Sequence, residues 1–148
     1  MPDPTNAPPA PKAARAGDLD AVRWIDLPSH ADDRGVLTAI ESGVDLPFEI
    51  KRVYFVHDVI ADRGGHAHRE THQVVTARGR CEMVLSDGST ERRYVLDDIR
   101  RGLYIGPMLF IRMTSFAPGT VVMSFASTHY DKSRSIRSWA DYLAAIRP

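Results

Sequence analysis

The feature that most constrains this chain's fold is its punctuation. From Ala21 onward, short runs rich in β-branched and aromatic residues alternate with clusters of Gly, Asp and Pro. The runs predict strands over residues 21–27, 36–41, 49–57, 72–77, 80–85, 90–96, 102–106, 108–114 and 120–127. Between them lie Asp33-Arg34-Gly35, Asp62-Arg63-Gly64-Gly65, Ala77-Arg78-Gly79, Asp87-Gly88 and Pro118-Gly119. Asp-Gly after Leu85 is a hairpin signal, because such turns need positive φ. Many short strands at regular spacing predict a sandwich or barrel. Only residues 135–146 carry a helical stripe: Ile136, Trp139, Tyr142, Leu143 and Ile146 share one face. The expected body is all-β with one short C-terminal helix.

Residues 1–17 differ in kind, holding five of the ten prolines (Pro2, Pro4, Pro8, Pro9 and Pro11) among alanines, without apolar periodicity. Such a stretch buries too little surface to offset its ordering entropy. A tail over 1–20 is therefore expected ahead of one domain over 21–148. The tail lacks the apolar core of a signal peptide, and Asp3, Asp18 and Asp20 spoil the acid-poor pattern of a transit peptide. The 148 residues suit one domain. Nineteen Lys and Arg balance nineteen Asp and Glu, which argues against a general electrostatic grip on nucleic acid. No apolar run approaches the length of a membrane-spanning helix. The one cysteine, Cys81, excludes an internal disulfide, and a reducing, cytoplasmic setting is the simplest fit.

The most informative local run is Arg63-Gly64-Gly65-His66-Ala67-His68. On a strand, residues two apart share a face, so His66 and His68 project together. Paired imidazoles bind a metal or move protons near neutral pH; the plain alternative is two solvent-facing rings on a sheet edge. His72 follows four residues after His68, and Gly79 seven after that. This spacing matches the first cupin motif, with His72 where a metal-binding cupin usually has Glu. The second motif is partial: Gly106-Pro107 is present, but Arg112 occupies the position of its metal-binding His. Either three histidines hold a metal, or the imidazoles serve as acid and base.

On the run 49–57, Ile50, Arg52, Tyr54 and Val56 share one face, and Val53 and Phe55 the other. Arg and Tyr suit a ligand wall, guanidinium for phosphate and phenol for a sugar or oxyanion. The period of two leaves open which face turns inward. Tyr104 and Tyr130 are aromatic candidates for stacking or phosphate binding, although most tyrosines are packing residues. Cys81 reads as a small buried hydrophobe, and His30 and His57 as structural or exposed. Arg92-Arg93 and Arg100-Arg101 read as solvated strand ends.

Taken in order, these segments resemble the dTDP-sugar 3,4-ketoisomerases, the WxcM-like cupin sugar isomerases. The match runs through Asp33-Arg34-Gly35, Leu46-Pro47-Phe48, Ile50-Lys51-Arg52-Val53-Tyr54, Arg63-Gly64 and His66-Ala67-His68. It continues through Gln73-Val74, Asp87-Gly88, Gly102-Leu103-Tyr104-Ile105-Gly106-Pro107, Tyr130-Asp131 and Ile136-Arg137. The resemblance implies a jelly-roll barrel, a homodimer, and a dTDP-4-keto-6-deoxyhexose as substrate, its carbonyl moved from C4 to C3. It implies His66 as base, His68 and Tyr54 as partner acid and oxyanion donor, and no metal or other cofactor. Arg52 and Arg63 then line the nucleotide-sugar pocket, with Tyr104, Arg112 and Tyr130 as further substrate-binding candidates. Three departures stand out: His72, Ile111-Arg112, and Lys132-Ser133-Arg134-Ser135 in place of an acidic run. Two other readings remain at this stage: a metal-dependent cupin built on His66, His68 and His72, and a non-catalytic nucleotide-sugar binder.

Overall fold

The computed structural model describes residues 15–147. Twelve strands precede one helix: β1 (Arg23–Asp26), β2 (Ser29–Asp32), β3 (Gly35–Thr38), β4 (Arg52–Val56), β5 (Arg63–His68) and β6 (Gln73–Arg78). They continue with β7 (Cys81–Ser86), β8 (Glu91–Leu96), β9 (Arg101–Ile105), β10 (Phe110–Thr114), β11 (Val121–Ala126), β12 (Ser135–Ile136) and α1 (Trp139–Ile146). Two five-stranded antiparallel sheets, ordered β1-β9-β6-β11-β4 and β12-β5-β10-β7-β8, form the body, and β2 and β3 make a separate hairpin. This is the expected all-β jelly roll with one short C-terminal helix.

The core lies between the sheets, where alternate residues of each strand meet. Val75 and Ala77 of β6, Leu103 and Ile105 of β9, Met83 and Leu85 of β7, and Ile111 and Met113 of β10 are all buried there. Cys81 belongs to this cluster, fully buried, and burial pushes its thiol up to about 11. It packs as a small apolar group. His30 and His57 are exposed.

Three expectations need correction. First, the body starts before residue 21: the Gly17 amide donates to the Met108 carbonyl at 2.7 Å, and Leu19 is buried in the core. The rest of the expected tail, residues 1–14, lies outside the described residues. Second, the hairpin strand β2 was not anticipated, because its Ser-His-Ala-Asp sequence carries no apolar alternation and three of its four residues are exposed. Third, the helix begins at Trp139, not at 135. Ser138 caps it, its hydroxyl accepting from the Asp141 amide at 3.1 Å. Ser135 and Ile136 instead extend the second sheet, paired with His68 and Ala67. Ile136 is buried as a strand residue, and only the rest of the stripe is helical.

Candidate active site

Strand β5 sets the geometry of the site. Gly64 has φ +93°, and a Cβ there would stand 2.6 Å from the Ile111 carbonyl oxygen, so only glycine lets β5 pass this close to β10. The pairing register shifts at Ile111/Arg112, a bulge of the kind that re-aims side chains. Beyond it, Ala67 packs outward under α1 with Ile136 and Tyr142, which leaves the opposite face to His66 and His68. Their ring centroids lie 4.8 Å apart at 69°.

Both rings line one cavity of about 420 Å³, together with Arg52, Tyr54, Arg63 and Tyr130. On β4 the face bearing Arg52, Tyr54 and Val56 turns inward, and Val53 and Phe55 are exposed. The Arg52 guanidinium lies over the Tyr54 ring at 4.6 Å and the Tyr130 ring at 5.0 Å. Burial lowers the His66 pKa; a backbone hydrogen bond to Gly64 opposes it, and the charges of Arg137 and Arg63 reinforce it. Burial pushes His68 down to about 4, aided by His66 and Arg52. Both imidazoles are therefore neutral at pH 7, competent to accept a proton rather than already carrying one.

Two of the expected substrate-binding residues lie elsewhere. On β9, Leu103 and Ile105 occupy the core, so alternation sends Tyr104 to the outer face, where Arg23 covers its ring at 4.6 Å. On β10, Ile111 and Met113 point inward, and Arg112 is exposed, ion-paired to Glu91 at 2.7 Å. Neither lines the histidine cavity. The proposed three-histidine metal set also fails to assemble. Gln73 takes the inward position, so the adjacent His72 faces out and shares a 2.6 Å hydrogen bond, through Nδ1, with the Tyr104 hydroxyl. Among the described residues no three His, Cys, Asp or Glu side chains converge as metal ligands.

The cavity also contains residues that sequence reasoning missed: Thr71, Gln73, Thr128, Arg134 and Arg137. Arg137 donates to the Tyr130 hydroxyl at 3.4 Å, and Arg134 to the His129 carbonyl at 3.2 Å. Four arginines thus face a cavity whose one carboxylate, Asp131, is already hydrogen-bonded by Ser133. A neutral imidazole pair beside such a cationic rim is suited to proton transfer on an anionic ligand.

Fold and site together define a small cupin-type barrel with a cavity lined by paired imidazoles and arginines. The family model FdtA (WxcM-like, C-terminal) matches residues 20–147, and the chain belongs to that family. It is 40% identical over 121 residues (80% of this chain, 87% of the relative) to the TDP-4-oxo-6-deoxy-alpha-D-glucose-3,4-oxoisomerase of Aneurinibacillus thermoaerophilus. Among solved structures it is similar to QdtA, a sugar 3,4-ketoisomerase from Thermoanaerobacterium thermosaccharolyticum in complex with TDP. That match has 37% identity and a TM-score of 0.82, over 86% of this chain and 95% of that one. It is also similar to WlaRB, a TDP-quinovose 3,4-ketoisomerase from Campylobacter jejuni, with 34% identity and a TM-score of 0.79, over 85% and 99% of the two chains.

Proposed function

We propose that this protein is a TDP-sugar 3,4-ketoisomerase that converts a TDP-4-keto-6-deoxyhexose to its 3-keto isomer. The observation that carries the reading is the pair of neutral, cavity-facing imidazoles, 4.8 Å apart, beneath a rim of arginines. The activities named for the relatives fit that chemistry.

The reaction moves hydrogen within the substrate and needs no external electron acceptor. His66 takes the C3 proton, which the neighbouring C4 carbonyl acidifies, and the C–H electron pair passes through an enediolate. A proton is then returned to C4 while the O3 proton is passed on to O4, so the carbonyl now stands at C3 and C4 carries the hydroxyl. His68, neutral like His66, is the partner acid by relay: its ring N–H donates to O4 while its other nitrogen accepts the O3 proton, and Tyr54 belongs to the group that holds the enediolate oxygens. Arg52 and Arg63 bind the anionic nucleotide-sugar, and Tyr130 offers a stacking surface. A cytoplasmic location and a homodimer complete the reading. No helix among the described residues is long and apolar enough to cross a membrane. Exposed Val53 and Phe55 on the sheet-edge strand β4 support pairing with a second copy.

Incubating TDP-4-keto-6-deoxyglucose with the protein in deuterated water tests the proposal. Deuterium at C3 of recovered substrate and at C4 of the 3-keto product is expected. A sugar that is bound but stays unlabelled and unisomerised would reduce the protein to a binder.

A further inference from the structure

Three polar side chains cross the inner wall in a row on β4, β11 and β6. Tyr54 stands opposite Ser124 in the β4–β11 register, and Gln73 lies on the next strand. Both hydroxyls donate to one atom, the Gln73 carboxamide oxygen: Tyr54 at 3.3 Å and Ser124 at 3.2 Å. Ser124 and Gln73 are almost fully buried, 1% and 3% exposed. With its oxygen engaged twice, the carboxamide is held in one orientation. Its NH2 edge donates to no acceptor among the described residues, and Gln73 lines the cavity that holds His66 and His68.

We propose that Gln73 is a catalytic residue, a fixed neutral N–H donor to the oxygen that becomes negative when the C3 proton leaves. The inference rests on the ketoisomerase reading above. It revises the part played by Tyr54: the phenolic proton is committed to the Gln73 oxygen, so Tyr54 acts chiefly by positioning the carboxamide. The chemistry favours an amide here. Its donor strength does not change with pH, and it adds no charge beside two histidines that must stay neutral. A donor already oriented before substrate arrives also needs no reorganisation as the oxyanion forms.

The Gln73→Glu variant keeps the shape and the acceptor for both hydroxyls, but at neutral pH it replaces the inward donor with a second carboxylate oxygen. The expected result is a fall in kcat of about 100-fold, with the KM for TDP-4-keto-6-deoxyglucose, TDP affinity and melting temperature little changed. Lowering the pH protonates the new carboxyl and supplies an O–H donor. The ratio of variant to wild-type kcat should therefore rise as pH falls, a response that a purely structural role would not give. A variant kcat within about threefold of wild type, or a ratio independent of pH, would overturn the assignment. Should that variant fail to fold, Ser124→Ala removes one of the two orienting hydroxyls. It should lower kcat several-fold at constant KM, and unchanged kcat would again count against the proposal. Wild-type protein that does not isomerise the substrate at all would instead overturn the ketoisomerase reading.

Discussion

At the scale of single residues, the proposed role of the His66–His68 pair depends on the fold keeping both rings uncharged. Each is mostly buried, His66 weakens the charged form of His68, and the arginines around them oppose a further positive charge. Removing the base should leave binding to the arginines intact. In His66→Asn, deuterium exchange at C3 should fall by 1,000-fold or more, within the span general base catalysis supplies, while TDP affinity by calorimetry stays within about twofold. Full activity in that variant would remove His66 from the role. The same lowered pKa values set an acid limit on stability. Protonating His68 is harder in the folded chain than in the unfolded one, where imidazole titrates near 6.5. Its contribution is therefore complete above pH 6.5 and is lost as pH falls towards about 4. That shift is worth up to about 3 kcal/mol. Melting temperature should drop by about 5 °C between pH 7 and pH 5, and His68→Asn should flatten that part of the profile.

At the scale of elements, β5 shows why two glycines precede the histidines. Both hold positive φ, +93° at Gly64 and +78° at Gly65, but only Gly64 must also pass against the Ile111 carbonyl; a Cβ at Gly65 would meet open space. Gly64→Ala should therefore cost at least 2 kcal/mol in chemical unfolding and lose most activity with it, because the bulge that aims His66 cannot form unaltered. What could be read from the sequence follows the same physics. The period of two placed His66 and His68 on one face, and the Asp87-Gly88 turn joins β7 to β8 as expected. Which face of β4 turns inward could not be read, because both faces carry large side chains and only the partner strands decide. Tyr104 and Arg112 were misplaced for the same reason: each sits in a suggestive motif, but Leu103, Ile105, Ile111 and Met113 have the stronger claim on the interior. Arg134 gave no strand or helix signal, and Arg137 fell in the stretch expected to be helical. They reach the cavity because β12 docks onto β5 through its backbone, a contact that a two-residue strand does not announce in sequence.

At the scale of the whole molecule, formal neutrality conceals a division of surfaces. Four of the nineteen basic residues gather at one cavity, and ion pairs such as Arg92–Asp20 and Arg112–Glu91 neutralise charge on the outside. Apolar side chains are distributed just as unevenly. Val53 and Phe55 remain 48% and 59% exposed on β4, an edge of its sheet, while Val36 and Leu37 are 55% and 61% exposed on the β2–β3 hairpin. An isolated exposed Leu or Val is ordinary, but a sheet edge and a projecting hairpin that both carry such groups are costly in a lone chain. The proposed pairing with a second copy would remove that cost. It would also stiffen β4, whose opposite face positions Arg52 and Tyr54 in the cavity. Phe55→Lys puts a charge into that contact without touching the inward face. Light scattering should find the unaltered protein as two chains and the variant as a single 16.5 kDa chain, with a raised KM as β4 loosens. A variant that keeps the mass of the unaltered protein would show that the copies meet through a different face.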